Sequence, residues 1–530
     1  MSQAAALPAV AVPAAKPFVV NKWAVAIAVA IGALMEIIDT SIVNVALNDI
    51  QASLAVTLSQ VSWVVSSYGV ANVIVLPLAA WLGHRFGKKR YFLFSLFGFL
   101  LSSVMCGLAA NLWVLILARV AQGLTGGGLL AKAQSILFET FPREEQAKAQ
   151  AFFAAIVIAG PTIGPTLGGY IVTTIGWRWI FFINVPIGIA AVAAVSAFLP
   201  PDEVQPEAKK EPIDWAAIGM LAVGLGALET FLEEGNDEGW FDSTFIWALA
   251  AVSAVALVLF VRRVLRAKDP VVDLRVLRHR SLWAGSILSA VIGMALYGAL
   301  FSIPIYAQTI LHFTSQQTGL LLLPGALASA VGMIVAGRIV GRFDPRVLLL
   351  IGAAILLSAL YMFAHMNPNT GERELQIPLV VRSIGTVLMF LPLQLSALGP
   401  LPKEEIAAGT GFYQLTRQLG GSVGVALLTA LLDHRLKFHT AVLSEKLVAN
   451  DPHTLERVNL LAGAMLARGA DMLTARARAL TILAGSVKQQ ALIMSFGDTF
   501  WATAALVFLS LPLVMLLGKP KKGVKMGAGH

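Results

Sequence analysis

The chain has 530 residues, of which 57% are hydrophobic and only 13% are charged, and its formal net charge is +9. A soluble chain of this length would carry far more charged surface, so the composition excludes a soluble globular protein. Apolar runs of about 20 residues recur, the length at which a helix spans a bilayer. The alternating ten-residue segments of a transmembrane barrel do not occur. The sequence therefore predicts an all-α polytopic membrane protein.

The positive charge does not indicate nucleic-acid binding, because the basic residues lie in short loops and form no patch interleaved with aromatic residues. Cys106 is the only cysteine, which excludes an internal disulfide and a cysteine metal site. No histidine pair has metal-ligand spacing, and neither a P-loop nor a nucleophile elbow is present. We expect no metal, no cofactor and no enzymatic activity.

Fourteen apolar segments follow one another along the chain. In chain order they fall near 23–46, 60–82, 91–110, 112–138, 150–172, 179–199, 214–233, 243–261, 281–306, 318–341, 346–366, 377–400, 406–431 and 495–518. An even number of spans places both termini on one side. The short loops on the other side hold only Arg178 and Arg373, so the positive-inside rule predicts that both termini are cytoplasmic.

Two sequence motifs of the first part of the chain recur in the second part, which indicates a duplicated architecture. The basic turn "GHRFGKKR" (83–90) is echoed by "GRIVGRFDPR" (337–346), and "LARVAQG" (117–123) is echoed by "VVRSIGT" (380–386). Parallel repeats of this kind are typical of transporters that bind substrate near the midplane between two halves. The expected parts are a disordered cytoplasmic tail (1–22), a six-helix half (23–200), a linker with two inserted spans (201–280), a second six-helix half (281–518) with a long periplasmic segment (432–494), and a basic cytoplasmic tail (519–530).

Six motifs occur in an order that carries a family resemblance. They are "MEIIDTSIVNVAL" (35–47), "LGHRFGKKR" (82–90), "RVAQG" (119–123), "GPTIGPTLGG" (160–169), "WRWIFFINVPIG" (177–188) and "TRQLGGSVGVA" (416–426). Together they resemble the major facilitator superfamily, and most closely the EmrB branch of its fourteen-helix EmrB/QacA drug:proton antiporters. Two positions depart from the family pattern: His84 replaces the usual aspartate of the basic turn, and Ala151 replaces a glycine.

The resemblance implies a proton-driven multidrug efflux pump of the bacterial inner membrane that exports small amphipathic compounds. It also implies a periplasmic adaptor of the EmrA type and a TolC-like outer-membrane channel as partners. The alternative within transport is a dedicated exporter of one metabolite, siderophore or fatty acid. A channel or a membrane-bound enzyme is the alternative from another class, and the two-half symmetry and missing catalytic constellation argue against the enzyme.

The first span contains two carboxylates, Glu36 and Asp39, on one helical face that Thr40 and Asn44 extend. A charge at the bilayer centre costs about 2.5–3.5 kcal/mol, so both need a cavity or a partner. By helical rise Asp39 lies at about the depth of Arg119 in the fourth span. We interpret Asp39 as the main proton-coupling group, modulated by Arg119, with Glu36 lining the drug cavity or sharing the proton. A permanent Asp39–Arg119 ion pair that only holds helices together is the alternative.

Other polar residues within the spans are candidates for the substrate cavity. Arg417 lies roughly 17 Å into its span, too deep to reach the interface, and needs a carboxylate, backbone carbonyls or an anionic substrate. Lys132 lies near the end of its span, where a lysine can snorkel. The predicted cavity set is Glu36, Thr40, Asn44, Gln122, Glu229 and Arg417.

Small residues and prolines dominate the fifth span, and basic residues dominate the turn after the second. The first pattern allows close helix packing and bending, so it predicts either a hinge between the halves or simple close packing. Its residues are Gly160, Pro161, Gly164, Pro165, Gly168 and Gly169. The basic turn after the second span predicts a cytoplasmic gate. Alternatively, its basic residues only follow the inside-positive rule. The turn comprises His84, Arg85, Gly87, Lys88 and Lys89.

The segment 432–494 contains amphipathic stretches such as "LERVNLLAGAMLARGADMLTARARAL". Apolar and basic faces alternate there, so the segment either docks a partner or forms a solvated helical excursion. If the EmrB resemblance holds, the adaptor docks at this segment.

Overall fold

The structure is a computed structural model that describes residues 21–202, 213–340, 342–367, 370–445, 447 and 452–518. The predicted tails, except Asn21 and Lys22, lie outside these residues, as does most of the linker before the inserted spans. Over the part of the chain that is described, every regular element is helical. The predicted all-α fold is therefore confirmed.

The first half contains nine helices. They are α1 (Lys22–Leu54), α2 (Leu58–Val75), α3 (Ala79–Phe86), α4 (Lys88–Gly107), α5 (Leu112–Gly126), α6 (Leu129–Thr140), α7 (Arg143–Ile175), α8 (Trp179–Phe182) and α9 (Asn184–Phe198). The pairs α2–α3, α5–α6 and α8–α9 each form one span. Between α5 and α6 the chain turns at Gly128, which has a φ of +77° that favours glycine.

The inserted pair and the second half complete the bundle. Their helices are α10 (Trp215–Glu234), α11 (Thr244–Arg266), α12 (Arg280–Thr309), α13 (Ser315–Ile339), α14 (Pro345–Ala364), α15 (Glu372–Leu398), α16 (Lys403–Glu445), α17 (Pro452–Leu466) and α18 (Met472–Ser510). Short 3₁₀ turns lie at Leu76–Leu78, Trp240–Asp242, Leu274–Arg278 and Leu511–Leu516. Within the described residues, fourteen segments are long and apolar enough to cross a membrane, which confirms the predicted number.

Two apolar clusters lie within the first half, a third fills the second half and includes Phe138, Ala151 and Ala154 of the first, and α7 and α13 form the main seam between the halves. These two helices run antiparallel, because Gly337 of α13 lies against Ala151 near the start of α7, whereas Gly319 lies near Thr166 towards its end. The inserted helix α10 packs against both α2 and α16, so it touches both halves. We call the end of the bundle at which α1 begins the terminal face, and the other end the opposite face.

A helical extension, residues 432–494, projects from the opposite face. Helix α16 continues unbroken to Glu445, α18 begins at Met472, and α17 packs on α18 between them. At the base of the extension, Asp498 of α18 accepts hydrogen bonds from Arg435 and His439 of α16. Two spans therefore extend beyond the bundle as continuous rods.

The glycines of α7 pack against α1 of the same half. A Cβ on Gly164 would overlap Ser41 Oγ and lie 3.2 Å from the Ile42 amide nitrogen, and one on Gly168 would lie 2.6 Å from Ile42 Cγ1. Gly160 faces Ile37 in the same way, whereas Gly169 has ordinary space. The glycine stripe therefore lies within the first half, and another face of α7 contacts the second half.

Gly164→Ala should lower the stability of the protein by about 1–3 kcal/mol, the usual cost of overpacking. Adding Ser41→Gly removes the overlapping hydroxymethyl group and should restore most of that loss. Gly169→Ala is the matched control, because its Cβ would lie 4.0 Å from Val45 Cγ1. Thermal unfolding of the purified protein measures all three variants, and equal effects of the two glycine changes would contradict the packing.

Candidate functional site

The centre of the first half holds an enclosed ion pair between Asp39 of α1 and Arg119 of α5. Their side chains are 0% and 1% exposed, and Nη1 of Arg119 lies 2.6 Å from Oδ2 of Asp39. The other carboxylate oxygen accepts hydrogen bonds from Gln122 Nε2 at 3.0 Å and Asn184 Nδ2 at 2.7 Å. Three donors from two further helices therefore surround one carboxylate, which is how a buried charge is tolerated.

Arg119 has its own set of partners besides the carboxylate. Its Nε donates to the Val64 carbonyl of α2 at 2.9 Å, and Nη1 also donates to Gln122 Oε1 at 2.7 Å. The guanidinium carbon lies 4.3 Å from the ring centre of Tyr68, close enough for a cation–π interaction. The ion pair therefore connects α1, α2 and α5.

Glu36 lies one turn before Asp39 and is 7% exposed. Its two oxygens accept from Asn72 Nδ2 at 2.8 Å and from the backbone amide of Leu130 at 2.9 Å. The same Asn72 amide lies 3.4 Å from the Tyr68 hydroxyl. Because Tyr68 also stacks under Arg119, a continuous chain of contacts links Glu36 to the ion pair.

The remaining polar residues of α1 lie nearer solvent. Thr40 is half-buried and donates to the Ile37 carbonyl, and Asn44 is exposed and donates to the Thr40 carbonyl. Both side chains therefore make hydrogen bonds only within their own helix among the contacts described. They are the accessible part of the polar face predicted from the sequence.

Gln122 does not line a cavity here, contrary to its predicted place in the substrate set. It is 0% exposed, and its amide bridges Asp39 and Arg119. Asn184 of the "WRWIFFINVPIG" motif completes the site, and no local pattern in the sequence indicates this role. Its amide also donates to Ser103 Oγ at 3.0 Å, so it is fixed between α4 and α1.

Lys132 is buried, so the expectation that it snorkels to the interface is wrong. Its Nζ donates to Ser95 Oγ at 2.6 Å and lies 3.8 Å from the ring centre of Tyr91. The helix breaks at Gly127 and Gly128, and the start of α6 contacts α1, where the Leu130 amide donates to Glu36.

The basic turn between α3 and α4 is held by a carboxylate from the end of the first half. Asp202 accepts hydrogen bonds from the backbone amides of Lys89 at 2.8 Å and Arg90 at 3.1 Å. Gly87, with a φ of +90°, allows this approach, because any side chain at that position would meet Asp202. With His84 in place of the family's aspartate, Asp202 supplies a carboxylate that the motif itself lacks.

Other residues of the turn also reach across the terminal face. Lys89 Nζ donates to the carbonyls of Ser196 and Leu199, and Lys88 pairs with Glu139 of α6. His84 and Lys88 line a cleft on this face that also includes residues of α6 and the start of α16. Arg85 lies with its guanidinium carbon 5.8 Å from the ring centre of Trp81.

Glu229 and Arg417 lie apart from the ion pair. Glu229 is 1% exposed and accepts from Ser422 Oγ of α16 at 2.6 Å, so it lies in the seam between the inserted helix and the second half. Arg417 is 7% exposed, with its guanidinium carbon 5.1 Å from the ring centre of Phe390. The structure therefore does not bring the six predicted cavity residues into one cluster.

Four glutamines join the two halves near the terminal face, and we call them the glutamine clasp. Gln414 Nε2 of α16 donates to Gln134 Oε1 of α6 at 2.6 Å, and Gln394 Nε2 of α15 donates to Gln150 Oε1 of α7 at 2.7 Å. All four are buried. The clasp therefore joins α6 to α16 and α7 to α15, across the seam between the halves.

Comparisons with known proteins agree with this architecture. The family model of the Major Facilitator Superfamily matches residues 29–425. The Multidrug export protein EmrB of Haemophilus influenzae is 32% identical over 506 residues, covering 94% of this chain and 96% of the relative. The protein of the same name from Escherichia coli K12 is 31% identical over 504 residues, covering 95% and 96%.

Two further matches extend the comparison. The Fatty acid resistance protein FarB of Neisseria gonorrhoeae is 29% identical over 506 residues, covering 96% of this chain and 97% of the relative. The crystal structure of the human organic anion transporter MFSD10 superimposes with a TM-score of 0.58 at 12% identity, covering 92% of this chain and 99% of that chain. At that identity the second likeness concerns the fold alone.

The chain therefore belongs to the Major Facilitator Superfamily, as a multi-pass membrane transporter. Its similarity to the two multidrug export proteins over almost its whole length places it among the EmrB-type efflux transporters of that superfamily.

Opening of the terminal face should depend on the glutamine clasp. In a Cys106→Ser background with Ser135→Cys as a buried reporter in the cleft, Gln414→Ala should raise the rate of maleimide labelling several-fold, because one inter-half hydrogen bond is lost. Gln146→Ala is the control, since the described contacts of the Gln146 side chain are to the Phe138 and Phe141 carbonyls of its own half. Identical labelling rates in the two variants would contradict a closing role.

Proposed function

We propose that this protein exports small amphipathic compounds across the bacterial inner membrane in exchange for protons, with both termini in the cytoplasm. The observation that carries the proposal is the enclosed Asp39 carboxylate, which is bonded to Arg119 and to two amides. An ion pair that only holds helices together costs free energy, because two charges must be desolvated. Apolar side chains would pack at the same place without this cost.

Protonation of Asp39 changes the balance of forces at this site. Arginine stays charged at any accessible pH, so a proton on the carboxylate leaves Arg119 without its counter-charge. The Val64 carbonyl and the Tyr68 ring of α2 remain its partners, together with the Gln122 amide oxygen of its own helix α5. In the proposal, the guanidinium then stays with α2 and α5, and α1 is released to move relative to both.

Glu36 takes a second role in the proposed mechanism. It is linked to the ion pair through Asn72 and Tyr68, and its other oxygen accepts from the amide of Leu130, two residues before Lys132. In the proposal, a change of charge at Asp39 alters the hydrogen bonding of Glu36 through these contacts. In this scheme Glu36 shares the proton or faces substrate when the halves part.

The halves move relative to each other in the proposed cycle. The glutamine clasp closes the terminal face, and its neutral hydrogen bonds can be exchanged for bonds to water at modest cost. In the proposal α7 acts as the hinge because it contacts both α1 and α13, and its Pro161 and Pro165 each remove one helical hydrogen bond. The basic turn with His84, Arg85, Gly87, Lys88 and Lys89 forms the gate at the same face.

Substrate is proposed to enter between the halves, where Thr40 and Asn44 offer hydrogen-bonding groups and Arg417 offers a positive charge above the Phe390 ring. Glu229 lies at the seam beside α16 and is placed to join the cavity only when α10 and α16 separate. Cationic compounds would then be held by the carboxylates of the first half. Multidrug export is favoured over a dedicated exporter because these groups come from separate elements.

A periplasmic adaptor and an outer-membrane channel are the proposed partners, and the helical extension is the proposed docking element. Leu460, Met472 and Leu473 of the extension are 69%, 71% and 83% exposed, although they are large apolar residues. Names of similar proteins describe multidrug export, and such export across a two-membrane envelope requires a continuation beyond the inner membrane.

Asp39→Asn should abolish substrate-triggered proton movement while leaving substrate exchange at equal pH. The asparagine keeps the shape and can accept from Arg119 but cannot take up a proton. Proteoliposomes with an imposed pH gradient and a panel of dyes provide the measurement, and Asp49→Asn on the same helix, at an exposed position, is the control. Retained proton coupling would refute the assignment. Loss of exchange together with a lower unfolding temperature would instead identify a structural ion pair.

Leu460→Glu combined with Leu473→Glu should weaken adaptor binding about 10-fold or more, because charges replace buried apolar contacts at an interface. Co-purification with an adaptor of the EmrA type measures the effect. Transport in proteoliposomes, which needs no adaptor, should stay unchanged, and this separates docking from folding. Full binding by the double variant would show that this surface of the extension does not contact the adaptor.

A further inference from the structure

The membrane-spanning interior of the second half carries positive charge without negative charge. Arg382 of α15 and Arg417 of α16 lie buried in the spans. In residues 281–518 every Asp and Glu lies at the start of a helix, in a connection or in the helical extension and its base. The first half, in contrast, contains Glu36 and Asp39 beside Arg119 and Lys132.

Arg382 is the less satisfied of these two arginines. It is 9% exposed, and its Nε and Nη1 are enclosed but donate to no acceptor among the described residues. No ion pair of the described residues includes it. Arg417 at least lies over the Phe390 ring. Arg382 is therefore a buried cation that the described residues leave without a counter-charge.

The internal repeat indicates which kind of partner Arg382 lacks among the described residues. "VVRSIGT" places Arg382 at the position that "LARVAQG" gives to Arg119, which bonds to a carboxylate, an amide and a backbone carbonyl. The carboxylate of the first half comes from α1, and α12, the corresponding helix of the second half, contains no Asp or Glu. The second half thus keeps the arginine of the pair and lacks the acid.

The acids nearest in sequence do not supply the missing charge. Glu372 and Glu374 lie eight or more residues before Arg382, roughly 12 Å or more along α15. Glu374 caps its own helix by accepting from the Gly371 amide, and Glu372 accepts from Gln376. Both belong to the first turn, at the exposed end of the helix. A guanidinium cannot shed its proton instead, so an anion from outside the chain is the remaining partner.

We propose that Arg382 binds the anionic group of an amphipathic substrate, a carboxylate or a chemically similar acid, inside the second half. The guanidinium offers a planar pair of donors to such a group, and the core around α15 is apolar and suits the hydrocarbon part. The inference rests on the proposed function and adds a substrate class to it: acids bind at Arg382, and cations bind at the carboxylates of the first half.

The test compares two probes of opposite charge in the same proteoliposomes, dodecanoate and tetraphenylphosphonium. Arg382→Gln should lower kcat/KM for dodecanoate about 10- to 100-fold, the loss expected for a charge-assisted hydrogen bond, and leave tetraphenylphosphonium transport within about twofold. Arg382→Lys should keep part of the dodecanoate transport. Arg373→Gln, at an exposed position in the first turn of α15, is the matched control and should change neither.

The other outcomes overturn the inference in distinguishable ways. Equal loss of both probes with a lower unfolding temperature would make Arg382 a structural residue, and unchanged dodecanoate transport would remove it from the site. An effect that appears only in vesicles containing anionic lipid, and not in zwitterionic ones, would assign the arginine to a lipid headgroup. Transport of the cation but not of dodecanoate by the native chain defeats this inference alone, whereas transport of neither probe defeats the proposed function.

Discussion

The rest of the first half is organised around one buried charge, the carboxylate of Asp39. Its partners arrive from α5 and α9, and the arginine that pairs with it also binds the backbone of α2. Four spans thus converge on a single carboxylate because a charge in the bilayer interior must be surrounded by donors. Ser103 and Tyr68 extend the same network, and these polar contacts fix helix positions that apolar packing alone leaves free to slide.

The two halves repeat one architecture but differ in the charged residues that they bury. In the first, acids and bases occur together and satisfy each other. In the second, the basic residues of the interior remain, and the acids have moved to helix ends and to the extension. The duplicated halves therefore differ in their electrostatics, and two relatives of the chain are named for multidrug export and for fatty acid resistance.

Much of this arrangement was predictable from the sequence, because the bilayer restricts what a helix can contain. Fourteen spans follow from the length of apolar runs, and the meeting of Asp39 with Arg119 follows from helical rise along two spans. Asn184 and Asp202 were not predictable, since their roles depend on a tertiary approach that no local pattern records. The environment of Lys132 was not predictable either, because it depends on the break between α5 and α6 at Gly127 and Gly128. For Gln122, the sequence indicates a polar side chain within a span but not which neighbours satisfy it.

Helix α16 has one further consequence through its length. The same unbroken helix carries Gln414 of the clasp and ends at Glu445 in the extension, about 46 Å further along its axis at the usual rise. A rod of this kind works as a lever, because a small tilt at one end becomes a larger displacement at the other. Because the helix is unbroken, a tilt that separated Gln414 from Gln134 would also displace Glu445 at the other end.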